Sequence, residues 1–126
     1  MVKITSSPNC GNSPKMTFIK EFNIAFAKAN IGFLLESVTD DIVWNIVGDK
    51  KITGRENFAD ELDKMKSKKA SELILHQILS HGKEGAANGV IKMQSGKKYA
   101  FSDFYQFKGA KGAKIKSITS YAIEIN

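Results

Sequence analysis

The order in which hydrophobic periodicities follow one another constrains this chain more than any single residue does. Helical spacing comes first, and β-rich runs fill most of the rest. Ser13-Pro14 predicts a helix start, with serine suited to the N-cap and proline to the first helical position. Phe18, Phe22, Ala25, Phe26 and Ala29 then share one apolar face. Asn30 and Gly32 interrupt it, and a short second helix carries Phe33, Leu34 and Val38. Ile42 to Val47 is a β-rich run between Asp40-Asp41 and Gly48-Asp49. Thr53-Gly54-Arg55-Glu56 has capping-box spacing and predicts a third helix with Phe58, Leu62 and Met65 buried. Lys64, Lys66, Lys68 and Lys69 near its end form a solvated face. Leu73 to Ser80, Ala86 to Met93, Tyr99 to Phe107 and Ile115 to Ile125 then read as four strands of a meander. Gln94-Ser95-Gly96 turns one pair, and Gly109 to Gly112 is a loose glycine-rich turn before the last strand. The predicted order is α-α-β-α-β-β-β-β. Helices grouped before antiparallel strands indicate an α+β fold. A curved sheet wrapped on helices tends to leave a cavity.

The 126 residues make one domain, and 42% hydrophobic with 25% charged residues is a globular composition. Met1 to Ser13, with turn-forming Ser6, Ser7, Pro8, Asn9, Gly11 and Asn12, is expected to be a flexible leader. Residues 14–126 form the expected single domain. Cys10 is the sole cysteine, so no internal disulfide or multi-cysteine zinc site is available. Two histidines leave little for any metal site, and no cofactor motif is present. No apolar run approaches the roughly 18–20 residues that span a bilayer. A free thiol and no export signal point to the cytoplasm. The net charge of +6 comes from nineteen basic residues, of which only Arg55 is arginine. Scattered lysine without a recognition motif disfavours nucleic-acid binding.

Asp103 is the leading chemical candidate. Alternate residues of a strand share a face, so Tyr99, Phe101, Asp103, Tyr105 and Phe107 line up together. A carboxyl among four aromatics, if buried, has a raised pKa and can act as general acid or oxyanion donor. The competing interpretation is a structural aspartate satisfied by local backbone or a tyrosine hydroxyl. Trp44 and Asn45 point to opposite faces, and one of them should see the cavity. His76, on the side of Ile74 and Ile78, is a second catalytic candidate, though a lone histidine there is more often core. Tyr121 is expected to wall the cavity. There is no nucleophile elbow and no phosphate loop.

Asp40-Asp41-Ile42-Val43-Trp44, Gly54-Arg55-Glu56, Asp103-Phe104-Tyr105-Gln106-Phe107, Lys114-Ile115 and Tyr121 together resemble the nuclear transport factor 2-like superfamily. The match is nearest its SnoaL-like and ketosteroid-isomerase-like branch. The resemblance implies a cone, with three helices closing a strongly curved, mainly antiparallel sheet over a pocket, and often a homodimer. Such relatives include isomerases, cyclases, dehydratases, epoxide hydrolases and non-catalytic modules, so fold leaves function open. Aligned on Asp40-Asp41, the isomerases' oxyanion aspartic acid falls on Asp103. Their base falls on Asn45 and their oxyanion tyrosine on Phe22. Asparagine cannot shuttle the proton and phenylalanine cannot donate, so steroid isomerisation by that route is not expected. The SnoaL-like cyclases are similar in layout, with Asp103 matching a pocket carboxylate.

The expected function is to bind a small apolar, oxygen-bearing ligand, with isomerase-, cyclase- or hydratase-type proton transfer as the chemistry if it turns over. Phe22, Phe26, Trp44, Asn45, Phe58, Phe101, Tyr105 and Tyr121 are its expected lining, with no metal and no organic cofactor. The alternative is a non-catalytic module that dimerises or binds a partner through its sheet.

Overall fold

Ser13 caps the first helix, its Oγ accepting the Met16 N–H at 3.2 Å, and Pro14 takes the first helical position. The computed structural model describes residues 2–110 and 114–126. The expected turn at Gly109 to Gly112 therefore lies partly outside the described residues. Helix α1 spans Pro14–Ala27 and α2 spans Ile31–Glu36, the latter capped by Asn30, whose side chain accepts from Phe33 N–H. Strand β2 (Val38–Ile46) starts earlier than Ile42, so Val38 belongs to a strand and not to the second helix. Helix α3 (Arg55–Met65) begins at Gly54 without a side-chain cap, so no capping box forms at Thr53. Asn57 Nδ2 donates instead to the Thr53 carbonyl at 2.9 Å. The meander follows as β4 (Ala70–His81), β5 (Glu84–Met93), β6 (Lys98–Phe107) and β7 (Ile115–Ile125).

Two further strands form at the sheet's edges. Strand β1 (Lys3–Ser6) pairs in parallel with β4, placing Lys3 beside Glu72 and Ser6 beside Leu75. The segment expected to be a flexible leader is thus tied to the sheet. Ser7 extends the tie, its N–H and Oγ donating to the Leu75 and His76 carbonyls. Strand β3 (Lys50–Thr53) folds back antiparallel on β2 through a turn with Gly48 at φ 86°. Both strands are four residues long with one apolar residue within each, Ile4 and Ile52, so neither carries a readable alternation. Their lysines also suit edges, where charge discourages pairing with other chains.

The seven strands lie in the order β1-β4-β5-β6-β7-β2-β3. The four meander strands pair antiparallel, as do β2 and β3, while β1–β4 and β2–β7 are parallel. The architecture is the expected α+β one, three helices on a mainly antiparallel sheet. Helix α1 lies against β4 and β5, and α3 against β2 and β3. Register shifts interrupt β2, β4 and the β6–β7 junction, and irregularities of this kind bend a strand and increase its twist.

The core lies between the helices and the sheet's inner face. Ile19, Leu34, Ile42, Phe58, Leu73 and Tyr105 are fully buried there. The buried stripe of α1 is Ile19, Phe22, Asn23, Ala25 and Ala27. Phe18 and Phe26 are partly buried beside it. Ala29 lies beyond the helix end, exposed, at φ 57°.

Candidate functional site

Strand β6 positions the candidate carboxyl. Its inner row is Tyr99, Phe101, Asp103, Tyr105 and Phe107, as alternation requires. Phe107 and Tyr105 lie under α1, in edge-on contact with Phe18 at 5.9 Å and Phe22 at 6.0 Å between ring centroids. Burial falls along the row. Tyr105 and Phe107 are buried, whereas Asp103, Phe101 and Tyr99 keep partial exposure. Asp103 therefore sits where the helix-covered part of the inner face gives way to an uncovered part.

Around that carboxyl runs a hydrogen-bonded network. Tyr105 Oη donates to Asp103 Oδ2 at 3.4 Å. Asn23 Nδ2 donates to Tyr105 Oη at 3.0 Å and to the Ile19 carbonyl at 2.9 Å. On the other side Ser120 is directly opposite Asp103 in the β6–β7 pairing, on the same inner face. Trp44 Nε1 donates to Ser120 Oγ at 2.9 Å. Burial pushes the Asp103 pKa up to about 6, against the opposing pull of the Ser120 and Tyr105 hydroxyls. Burial, and then the nearby Asp103 charge, push the Tyr105 hydroxyl well above 10. Tyr105 thus remains a protonated donor, and Asp103 can gain or lose a proton close to neutrality.

The expected lining residues separate into three groups. Phe22, Trp44, Phe58 and Tyr105 are buried and pack as two pairs, Trp44 with Phe58 at 5.5 Å and Phe22 with Tyr105 at 6.0 Å between ring centroids. Phe26, edge-on to Trp44 at 6.1 Å, and Phe101 are partly buried at the core's margin. The third group is not on this face. Trp44 is the inward residue of its pair, so Asn45, paired with Lys51 and Thr119, is on the outer face. Tyr121 pairs with Ser102 on the outer face and is 48% exposed, stacked edge-on against Phe104. It does not wall the inner space. His76 is the extra residue of a bulge, unpaired between Leu75 and Gln77, and is exposed. The bulge reverses the alternation, so Leu73 and Leu75 face inward before it and Ile78 after it. That reversal removes His76 from the side it shares with Ile74 and Ile78 in a regular strand.

Two members of the network had no part in the sequence expectations. Asn23 lies four residues after Ile19 on the buried face of α1, a polar interruption of an apolar stripe. Ser120 lies between Ile118 and Ala122 on the inner row of β7. Both spacings are visible in the sequence, but neither says which residue lies opposite.

Open grooves occur on the other side of the sheet. One of about 500 Å³ is bounded by Leu79, Ala86, Phe104, Gln106, Ser117 and Thr119. A second, about 370 Å³, adjoins it at the β4–β5 hairpin around His81, Lys83 and Glu84. Neither includes Asp103. Among the described residues, no group of three or more histidine, cysteine or carboxylate side chains is arranged to hold a metal ion. Among them, no helix is long and apolar enough to cross a membrane.

No family model matches the chain, and no curated protein matches it in sequence. Solved structures do match. An NTF2-like protein of unknown function from Cytophaga hutchinsonii is 23% identical, with TM-score 0.67 over 85% of this chain and 97% of that one. A ketosteroid isomerase-like protein from Kribbella flavida gives TM-score 0.73 at 11% identity, covering 87% and 78% of the two chains. An LEH-like epoxide hydrolase from M. tuberculosis gives 0.71 at 16% identity, covering 85% and 80%. The chain has the NTF2-like fold. At these identities the likeness is one of architecture, and an NTF2-like scaffold hosts proteins of different activities. The chemistry must come from Asp103 and its neighbours.

Proposed function

We propose that this NTF2-like chain binds a small apolar, oxygen-bearing molecule at the uncovered end of the sheet's inner face. Asp103 is its hydrogen-bonding and proton-exchanging group. The observation that carries the proposal is the placement of Asp103, a half-buried carboxyl at the edge of an aromatic core with its proton equilibrium moved to about 6. Ligand contacts fall to Phe101, Tyr99 and Ile91, which continue the inner face beyond it and remain partly exposed. Phe22, Trp44, Phe58 and Tyr105 form the floor that holds Asp103 in place.

The ionised carboxyl accepts a proton from a carbon acid or an activated water, and the protonated form returns it or donates to a developing oxyanion. Isomerase-, cyclase- and hydratase-type steps all need that exchange. Steroid isomerisation by the usual route is disfavoured, because Asn45 is on the outer face and Phe22 has no hydroxyl. The proposed setting is the cytoplasm, and the proposal needs no metal or organic cofactor.

The test is a thermal-shift panel of small phenols, cyclic ketones, sterols and lactones against wild type and Asp103→Asn. A ligand at a hundred times its Kd stabilises the folded state by about 3 kcal/mol. Stabilisation of the wild type that is lost in the variant is the expected result. Equal shifts in both place the ligand away from Asp103, and no shift in either removes the binding role.

A second reading rests on a separate observation. The outer sheet face exposes Leu79 (55%) on β4, Phe104 (52%) on β6, and Tyr121 (48%) and Ile123 (67%) on β7, with Ala86 of β5 between Leu79 and Phe104. Contiguous apolar exposure of this kind marks an interaction surface. A homodimer through that face is compatible with the Asp103 site, since the two occupy opposite sides of the sheet.

A further inference from the structure

We propose that Ser120 on one side, and the Asn23–Tyr105 pair on the other, are positioning residues that each present a hydroxyl proton to the Asp103 carboxylate. This deepens the preceding reading, because it rests on Asp103 as the working carboxyl.

Groups that can only donate favour one direction for each hydrogen bond. The Trp44 indole N–H has no acceptor capacity. It occupies one lone pair of Ser120 Oγ at 2.9 Å, and the serine proton is free to turn toward Asp103, directly opposite in the strand pairing. The amide orientation of Asn23 is set by the Ile19 carbonyl, which can only accept, so Nδ2 is the atom that lies there. The same Nδ2 donates to Tyr105 Oη, which leaves the phenol proton for Asp103 Oδ2. Two chains thus converge on Asp103, each starting at an obligate donor. With both hydroxyl protons turned toward it, the carboxylate form of Asp103 is the better hydrogen-bonded one. Burial alone favours the neutral acid, and the two hydroxyls oppose it, so together they decide where the proton equilibrium falls.

Other titratable groups do not replace this control. Around Asp103, β5 contributes Ala87, β2 Trp44, β7 Ser120 and α1 Asn23, none of them charged. Tyr105 is its titratable neighbour on β6. The nearest charged residue along the inner row of β7 is Glu124, opposite Tyr99 and two pairs farther out.

The experiment is a carboxyl-carbon NMR titration of aspartate-labelled protein, with the Asp103 signal assigned by its loss in Asp103→Asn. Ser120→Ala is expected to raise the Asp103 midpoint by about one pH unit, and Tyr105→Phe to raise it similarly. Ser120→Thr, which restores the hydroxyl, is expected to return it toward wild type. If Ser120→Ala does not fold, Ser120→Cys, close in size and a weak donor, is read in its place. An unmoved or lowered midpoint in the serine variant overturns the proposal. The titration uses no ligand, so the two readings fail separately. Ligand binding through Asp103 with an unmoved Ser120 titration removes the positioning role and leaves the ligand reading. A moved titration with no ligand bound does the reverse.

Discussion

Asp103 carries an energetic cost that its pKa makes measurable. The folded protein holds the proton up to about pH 6, whereas an unfolded aspartate releases it near 3.8. Between those values the native state binds more protons, so stability falls as pH rises through the window. About two pH units correspond to roughly 3 kcal/mol, an upper value for a group with some exposure. Asp103→Asn is expected to remove that contribution. Urea denaturation at pH 4 and pH 7 measures it, as a wild-type stability loss over the interval that exceeds the variant's. Equal changes in the two proteins would show that burial leaves this carboxyl unperturbed. Cys10 illustrates the opposite case at this scale. It is buried with Ser7 nearby, and its placement gives the thiol a packing role.

Among the elements, β4 and β5 show how a strand defect positions a site on its neighbour. Gly89 on β5 pairs with Leu75, the residue just before the bulge at His76. A Cβ at Gly89 overlaps the Ile74 carbonyl oxygen and lies 3.2 Å from Leu75 Cα, so there is no space for alanine. Backbone atoms cannot move aside as a flexible side chain does. Gly89→Ala is therefore expected to destabilise the fold by about 1–3 kcal/mol, the usual range for overpacking, read from the thermal midpoint. Wild-type stability in that variant would mean that the bulge relaxes freely. Gly89 pairs with Phe101 on β6, next to the Ala87–Asp103 pair. The same close approach thus supports the strand that presents the carboxyl.

For the whole molecule, the sheet separates two surfaces of different character. The inner face holds the polar network beneath aromatic packing, and the outer face leaves Leu79, Phe104, Tyr121 and Ile123 exposed. Strand edges do not offer the same opportunity, because β1 and β3 end the sheet with short, lysine-bearing strands. Association is therefore expected face to face. Sedimentation of the wild type should give a dimer, and Phe104→Glu should give a monomer with unchanged circular dichroism. A monomeric wild type at tens of micromolar excludes this assembly.

Local chemistry determined a good deal in advance. Ser13-Pro14 starts α1, the four late strands lie close to where alternation puts them, and Asp103 shares a face with Tyr105, because these depend on neighbours within a turn or along one strand. The edge strands β1 and β3 are not legible in the sequence, because four residues with one apolar side chain do not establish a period. His76 and Tyr121 changed sides for a different reason. A bulge reverses alternation without a marker in composition, and whether a strand face is inner or outer depends on where the helices pack. The partnership of Asn23, Tyr105, Asp103, Ser120 and Trp44 is of that second kind. It joins four elements, up to 82 residues apart in a single hydrogen bond. Pairing register and helix placement bring those donors together, and both are settled by burial of the whole core at once.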